Sequence, residues 1–114
     1  MAFENSAKNA MLDAQGALST YMSLHSGFPA TAINEITGGT PAYARKAITW
    51  AVASAGSKSI NVVPVFDVPA STIAAIGYWS AATAGTLYGG STVTNETYVA
   101  QGEYKVSTAT MTLP

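Results

Sequence analysis

The chain opens on a helical period and then changes to the period of a strand. Phe3, Ala7, Ala10, Met11 and Ala14 recur three and four residues apart, while Glu4, Lys8 and Asp13 lie off that stripe. The residues between are good helix formers, so the spacing predicts a helix over 3–15 with Gly16 as its stop. A helix this short is marginal alone. Its apolar stripe needs either this domain's sheet or a neighbouring subunit to lie on. From Leu18 the period is two: Leu18, Thr20, Met22 and Leu24 alternate with Ser19, Tyr21 and Ser23, the pattern of a half-buried strand.

A turn-rich stretch follows from Ser26 to Pro41, long for a connection and therefore a candidate contact element. Tyr43 to Val52 alternates again, with Ala44, Lys46, Ile48, Trp50 and Val52 on one face. Ile60 to Val68 is apolar nearly throughout, and Pro64 pushes it toward a sheet edge or a bulge. Ile73 to Ser80 is apolar on both faces, so both are expected to be covered. Thr83-Ala84-Gly85 signals a hairpin into a short strand at Leu87-Tyr88, which Gly89-Gly90 is expected to break. Val93–Tyr98 and Tyr104–Leu113, rich in Thr, Val and Tyr, complete the set. About six or seven short antiparallel strands behind a short N-terminal helix predict a mainly β chain folded as a β-sandwich, with a small barrel as second choice. There is no internal repeat, linker or low-complexity tract. One domain over 1–114 suffices, with 1–16 as its helical segment.

Charge changes the picture more than any other compositional feature. Only 10% of the 114 residues are charged, against about 25% in an ordinary soluble domain. Such a surface is covered by Thr, Ser, Asn, Gly and Ala and desolvates at little cost, as interface cores do. It suits a chain that packs against copies of itself or a larger assembly; the plainer alternative is a weakly charged monomer kept soluble by its hydroxyls. The net charge is -1, and of the five basic residues only Arg45 and Lys46 adjoin. A nucleic-acid partner would need a clustered basic patch, so none is expected. No cysteine is present, which removes disulfides and thiolate chemistry. Met1–Asn5 lacks the features of a signal peptide and no run is long enough for a membrane span, so synthesis in the cytoplasm and no membrane partner are expected.

Candidate chemistry is sparse. His25 is the single histidine, without Cys or a second His to complete a metal site, and reads as a structural hydrogen-bonder. A Ser-His-Asp arrangement is defined by geometry, but no Gly-x-Ser-x-Gly elbow occurs. Glu4, Asp13, Glu35, Asp67, Glu96 and Glu103 show no pairing that would suit a glycosidase, and solvated surface is their default. Gly38-Gly39 and Gly89-Gly90 are turn signals, lacking the Lys-Ser/Thr of a phosphate loop. No cofactor and no catalytic residue is expected. Trp50 and Trp79 belong in the core. The six tyrosines suit either protein interfaces or carbohydrate contact.

Three stretches carry a resemblance: Tyr21-Met22-Ser23-Leu24-His25, the block from Asn34-Glu35-Ile36-Thr37-Gly38-Gly39 through Thr40-Pro41-Ala42-Tyr43-Ala44-Arg45, and Ile76-Gly77-Tyr78-Trp79-Ser80-Ala81-Ala82-Thr83. Together they resemble small structural proteins of actinobacterial phages, commonly called tail-fibre or minor tail proteins, over roughly Leu18 to Tyr104. The resemblance implies a non-enzymatic virion component. A chain this short, with no shaft, favours a capsid decoration or minor capsid protein docking on the shell as a homo-oligomer, a trimer being the expected form. Its partners would then be sister copies and the major capsid protein or tail proteins. The alternative is a tail-fibre or tail-tip component contacting host cell-wall glycan, and a hydrolase acting through His25 is a more distant rival. The expected interface residues are Phe3, Ala7 and Met11 on the helix, Phe28 and Ile33 in the long loop, and Tyr43.

Overall fold

Helix α1 spans Asn5–Leu18 in a computed structural model that describes residues 3–27 and 34–112. Its composition explains the helix; its docking follows a different face from the apolar stripe. Leu12 and Gly16 are the buried residues, with Lys8, Asn9 and Gln15 half-buried, whereas Ala7, Ala10, Met11, Ala14 and Leu18 are exposed. Polar groups make the attachment. Asn9 Oδ1 accepts the Gly56 N–H at 3.0 Å, and Asp13 Oδ1 accepts the Ala53 N–H at 3.0 Å and the Lys58 ammonium at 2.6 Å. Gly16 does not stop the helix; it lies two residues inside it. A Cβ there would sit 2.3 Å from Lys58 Cε and 3.3 Å from Trp50 Cδ1, so glycine gives the buried lysine stem its passage. The Lys58 ammonium also donates to the Ala51 carbonyl, at 2.7 Å.

Eight strands follow among the described residues: β1 (Tyr21–His25), β2 (Lys46–Ala47), β3 (Ser57–Ser59), β4 (Val65–Val68), β5 (Ser71–Trp79), β6 (Leu87–Tyr98), β7 (Gly102–Lys105) and β8 (Thr110–Thr112). A four-stranded antiparallel sheet, ordered β2-β1-β5-β6, stands with two two-stranded ribbons, β3-β8 and β4-β7. The result is mainly β and consistent with the small β-sandwich that the turn spacing predicts. The apolar core gathers Met22 and Leu24 of β1, Ile73, Ile76 and Tyr78 of β5, Phe66 and Val68 of β4, and Tyr104 of β7, with Ile36, Ile48 and Val106 from the connections.

Four stretches differ from their sequence patterns, each for a local reason. The run from Tyr104 is not one strand: its start pairs with β4 as part of β7, and Thr110–Thr112 crosses to β3 as β8. The alternation from Tyr43 to Val52 does not make one strand, because the segment divides its backbone between two neighbours. Lys46 and Ala47 pair with β1, after which Asn61 N–H reaches the Thr49 carbonyl and Ala51 N–H the Ser59 carbonyl. Val52 lies beyond both and is 82% exposed. The apolar run from Ile60 becomes a ladder only at Val65, directly after Pro64, which has no N–H to give. Gly89-Gly90, in contrast, does not break β6. Gly89 pairs with Tyr78 and Gly90 with Gly77, so the glycines continue the ladder. The hairpin before β6 is as its sequence signals, with Ala84 and Gly85 at φ 52° and 77°.

Candidate functional site

β1 and β5 are buried on both faces, and the two faces differ in kind. Because side chains alternate along a strand, Met22 and Leu24 go to the apolar core opposite Tyr78 and Ile76, while Ser23 and His25 lie opposite Gly77 and Ala75 on the other side. There a polar network closes over the sheet. Ser23 Oγ and His25 Nε2 are 2.6 Å apart, and the Trp79 indole N–H donates to Ser23 Oγ at 2.7 Å. The Arg45 guanidinium lies 3.7 Å over the Trp79 ring. It grips Glu35 with two hydrogen bonds of 2.9 Å and turns Nη1 to the carbonyls of Ala81 and Ala84. Tyr43 donates to Glu35 Oε2 at 2.8 Å and accepts the Leu24 N–H at 3.0 Å.

The Ser23–His25 distance is that of a nucleophile and its base, but both side chains are fully buried. Gly77 lies beneath them so closely that a Cβ would come 2.7 Å from Ser23 Oγ and 3.0 Å from His25 Nε2. A site without room for a methyl group has none for a substrate. The network instead ties residues 23–25, 35, 43–45 and 79–84 into one unit. No group of three or more His, Cys, Asp or Glu able to hold a metal occurs among the described residues.

Glu35 is the residue the sequence missed. Surface solvation was its default, yet its side chain is only 13% exposed and that of Arg45 only 6%. Burial works against the Glu35 charge, but the hydrogen bonds from Arg45 and Tyr43 outweigh it and hold the carboxyl below its ordinary value of 4.5. Burial, together with the neighbouring carboxylate, pushes the Tyr43 phenol well above its ordinary range. Asp13 is likewise lowered, chiefly by the hydrogen bond from Lys58. An acid whose pKa is lower in the folded chain adds stability above its unfolded pKa and loses it as pH falls through the folded one. The urea midpoint should therefore be flat from neutral pH to about 5 and fall progressively below about 4.5, the decline shrinking in Glu35→Gln. A midpoint independent of pH down to 3 would remove this role for the carboxylates.

The predicted interface residues divide. Phe3 is 45% exposed, Met11 38%, and Ala7 is exposed between them; Leu18, at 47%, extends the same side. Tyr43 is turned inward, held by Glu35 and stacked on Phe66 at 6.1 Å between ring centroids. Phe28 and Ile33 lie outside the described residues. Beside α1 opens a cavity of about 490 Å³, walled by Met11, Leu12 and Gln15 of the helix, Tyr88 and Ser91 of β6, and Met111 of β8. No charged side chain lines it. The Tyr78 hydroxyl in its wall is buried without a hydrogen bond of normal geometry. No helix among the described residues is long and apolar enough to cross a membrane.

A family model described as "Podophage GP4 fiber I protein gp80" matches residues 2–113, nearly the whole chain. No curated protein matches it.

Proposed function

The chain belongs to the family of the podophage GP4 fiber I protein gp80, and from this we propose that it is a fibre component of a phage particle, acting through contact and not catalysis. The match over residues 2–113 carries the proposal. Two features support it. The surface is poor in charge, which lowers the cost of covering it, and the Ser23–His25 pair is sealed. The short chain favoured a capsid decoration protein; a family named for a fibre supports the tail-fibre alternative better. Self-association with cyclic closure, as a homotrimer, is the proposed form.

Contact with host cell-wall glycan is a second reading with one observation in its favour. Tyr88 is the exposed tyrosine among the described residues, and it borders the uncharged cavity, a setting suited to a neutral sugar ring. Immunogold labelling of purified particles tests the assignment. Label on fibres is expected, at their outer ends if the glycan reading holds. Label spread over the shell would restore the decoration role, and particles without label would end the virion assignment.

A further inference from the structure

We propose that the cavity beside α1 is a site for one neutral pyranose ring, with the Tyr78 hydroxyl reading a sugar hydroxyl and Tyr88 giving the ring a surface to lie on. This rests on the glycan reading above and deepens it, by naming the kind of sugar and the groups that meet it.

Three observations meet at this cavity. The first is the Tyr78 hydroxyl. Tyr78 is only 5% exposed, and its ring is held by an edge-on contact with Trp50, centroids 5.3 Å apart. The hydroxyl nevertheless makes no hydrogen bond of normal geometry; beside it stands the Ser91 hydroxyl, in the wall of the same cavity. A buried hydroxyl in that state calls for a partner from outside the chain. The second is Gly89, which pairs with Tyr78 across the sheet. Neither backbone nor crowding demands glycine there. Its φ is not in the left-handed region, and a Cβ would meet only Tyr78 Cδ2, at an ordinary 3.9 Å. At Gly16 and Gly77, by contrast, a Cβ would come within 2.3 and 2.7 Å of its neighbours. Glycine weakens a strand interior, and what its missing side chain leaves here is open floor. The third is a β-bulge. Gly89 pairs with Tyr78, but it is Leu87 that pairs with Trp79, so Tyr88 is the extra residue. Bulges re-aim side chains. This one sends Leu87 toward Gly77 on the far side of the sheet and lets Tyr88 join Gly89 and Tyr78 around the cavity.

The chemistry of the walls selects the occupant. No charged side chain lines the cavity, so an ionised ligand would shed its hydration and find no counter-charge. Phosphorylated and acidic ligands are set aside on that ground. A wholly apolar ligand, or an apolar side chain of another protein, would leave the Tyr78 and Ser91 hydroxyls without partners. Met11 and Leu12 of α1 and Met111 of β8 supply carbon and thioether surface, and Tyr88, 38% exposed, supplies an aromatic ring at the rim. A pyranose answers both demands. Its C–H face suits the aromatic ring and the methionines, and its rim of hydroxyls can reach Tyr78 and Ser91. The cavity, about 490 Å³, lies within the usual range of small-molecule sites, about 300–1,000 Å³. One ring bound this way is held weakly, and many copies on one particle turn weak contacts into firm attachment.

Amide-shift titration of the isotope-labelled full-length protein with the methyl glycosides of glucose, galactose, mannose and N-acetylglucosamine tests the site. At least one should shift the amides of Tyr88, Gly89 and Ser91 with about millimolar affinity. Glucuronic acid and glucosamine, which carry a charge, should bind at least about tenfold more weakly. Tyr78→Phe should weaken binding about tenfold, the worth of one neutral hydrogen bond, while its thermal midpoint stays at or above that of the wild type. A Tyr78→Phe protein that binds normally, or that unfolds earlier, would show that the hydroxyl serves the fold and overturn its role. Gly89→Ala and Gly89→Val fill the floor in two steps and should weaken binding in that order without lowering the thermal midpoint. Neutral sugars in large excess that leave these amides unmoved, or shifts that persist undiminished in Gly89→Val, overturn the site. Particle labelling is independent of this. Label at the outer ends of fibres without sugar-dependent shifts defeats the cavity assignment alone, and sugar-dependent shifts with label confined to the shell defeat the host-glycan reading alone.

Discussion

Replacing Glu35 by alanine is expected to cost the fold about 3–5 kcal/mol, the range for breaking a buried ion pair from one side. The cost comes from what is left behind. Arg45 would keep its two carbonyls and the Trp79 face, but its forked pair of bonds to the carboxylate would be gone with the guanidinium still enclosed. Tyr43 would lose its acceptor at the same time. With a urea slope of about 1–3 kcal/mol/M, the midpoint should fall by about 1–5 M. The double variant Glu35→Ala/Arg45→Met should recover part of the loss, because removing both charges abolishes the stranded one. A loss below about 1 kcal/mol would mean that the pair behaves as an ordinary surface salt bridge.

Phe66→Ala is the second large effect, at about 3–5 kcal/mol, the usual cost of emptying a fully enclosed aromatic site. Phe66 is completely buried on β4, and its ring lies nearly parallel to that of Tyr43, at 14°. It therefore braces the tyrosine that holds Glu35 from the other side. Thermal unfolding should move down by at least 10 °C, taking roughly 4 °C per kcal/mol at this chain length. Combining Phe66→Ala with Tyr43→Phe should cost less than the two losses added, since each weakens the same contact. Strict additivity would show that ring stacking and the polar network are independent.

What the sequence reveals here depends on whether a pattern reports the chain's own neighbours or distant ones. β5 is legible because Ile73 to Trp79 is apolar on both faces, which leaves few places for a strand except the middle of a fold. Helix α1 is legible as a helix, and Phe3, Ala7 and Met11 as one side of it. Which side docks is not, because Asp13, Lys58 and the missing Cβ of Gly16 come together only in three dimensions. Gly89-Gly90 has the form of a break until its partners Tyr78 and Gly77 are known. The polar network is the extreme case. Its side chains all fall within the three stretches that carry the phage-protein resemblance, but Glu35 meets Arg45 across ten residues of loop, and Arg45 meets Trp79 across the sheet. No spacing rule connects them.

The unlike faces of β1 have one more effect, on fidelity of assembly. Slipping β1 by a single residue against β5 would exchange its two sides. Ser23 and the His25 imidazole would then be driven among Phe66, Ile73 and Val68, while Met22 and Leu24 would confront a guanidinium. An all-aliphatic strand would tolerate that error at modest cost. This one makes a misaligned chain expensive at every position, so the strand's two unlike sides themselves reject the wrong alignment.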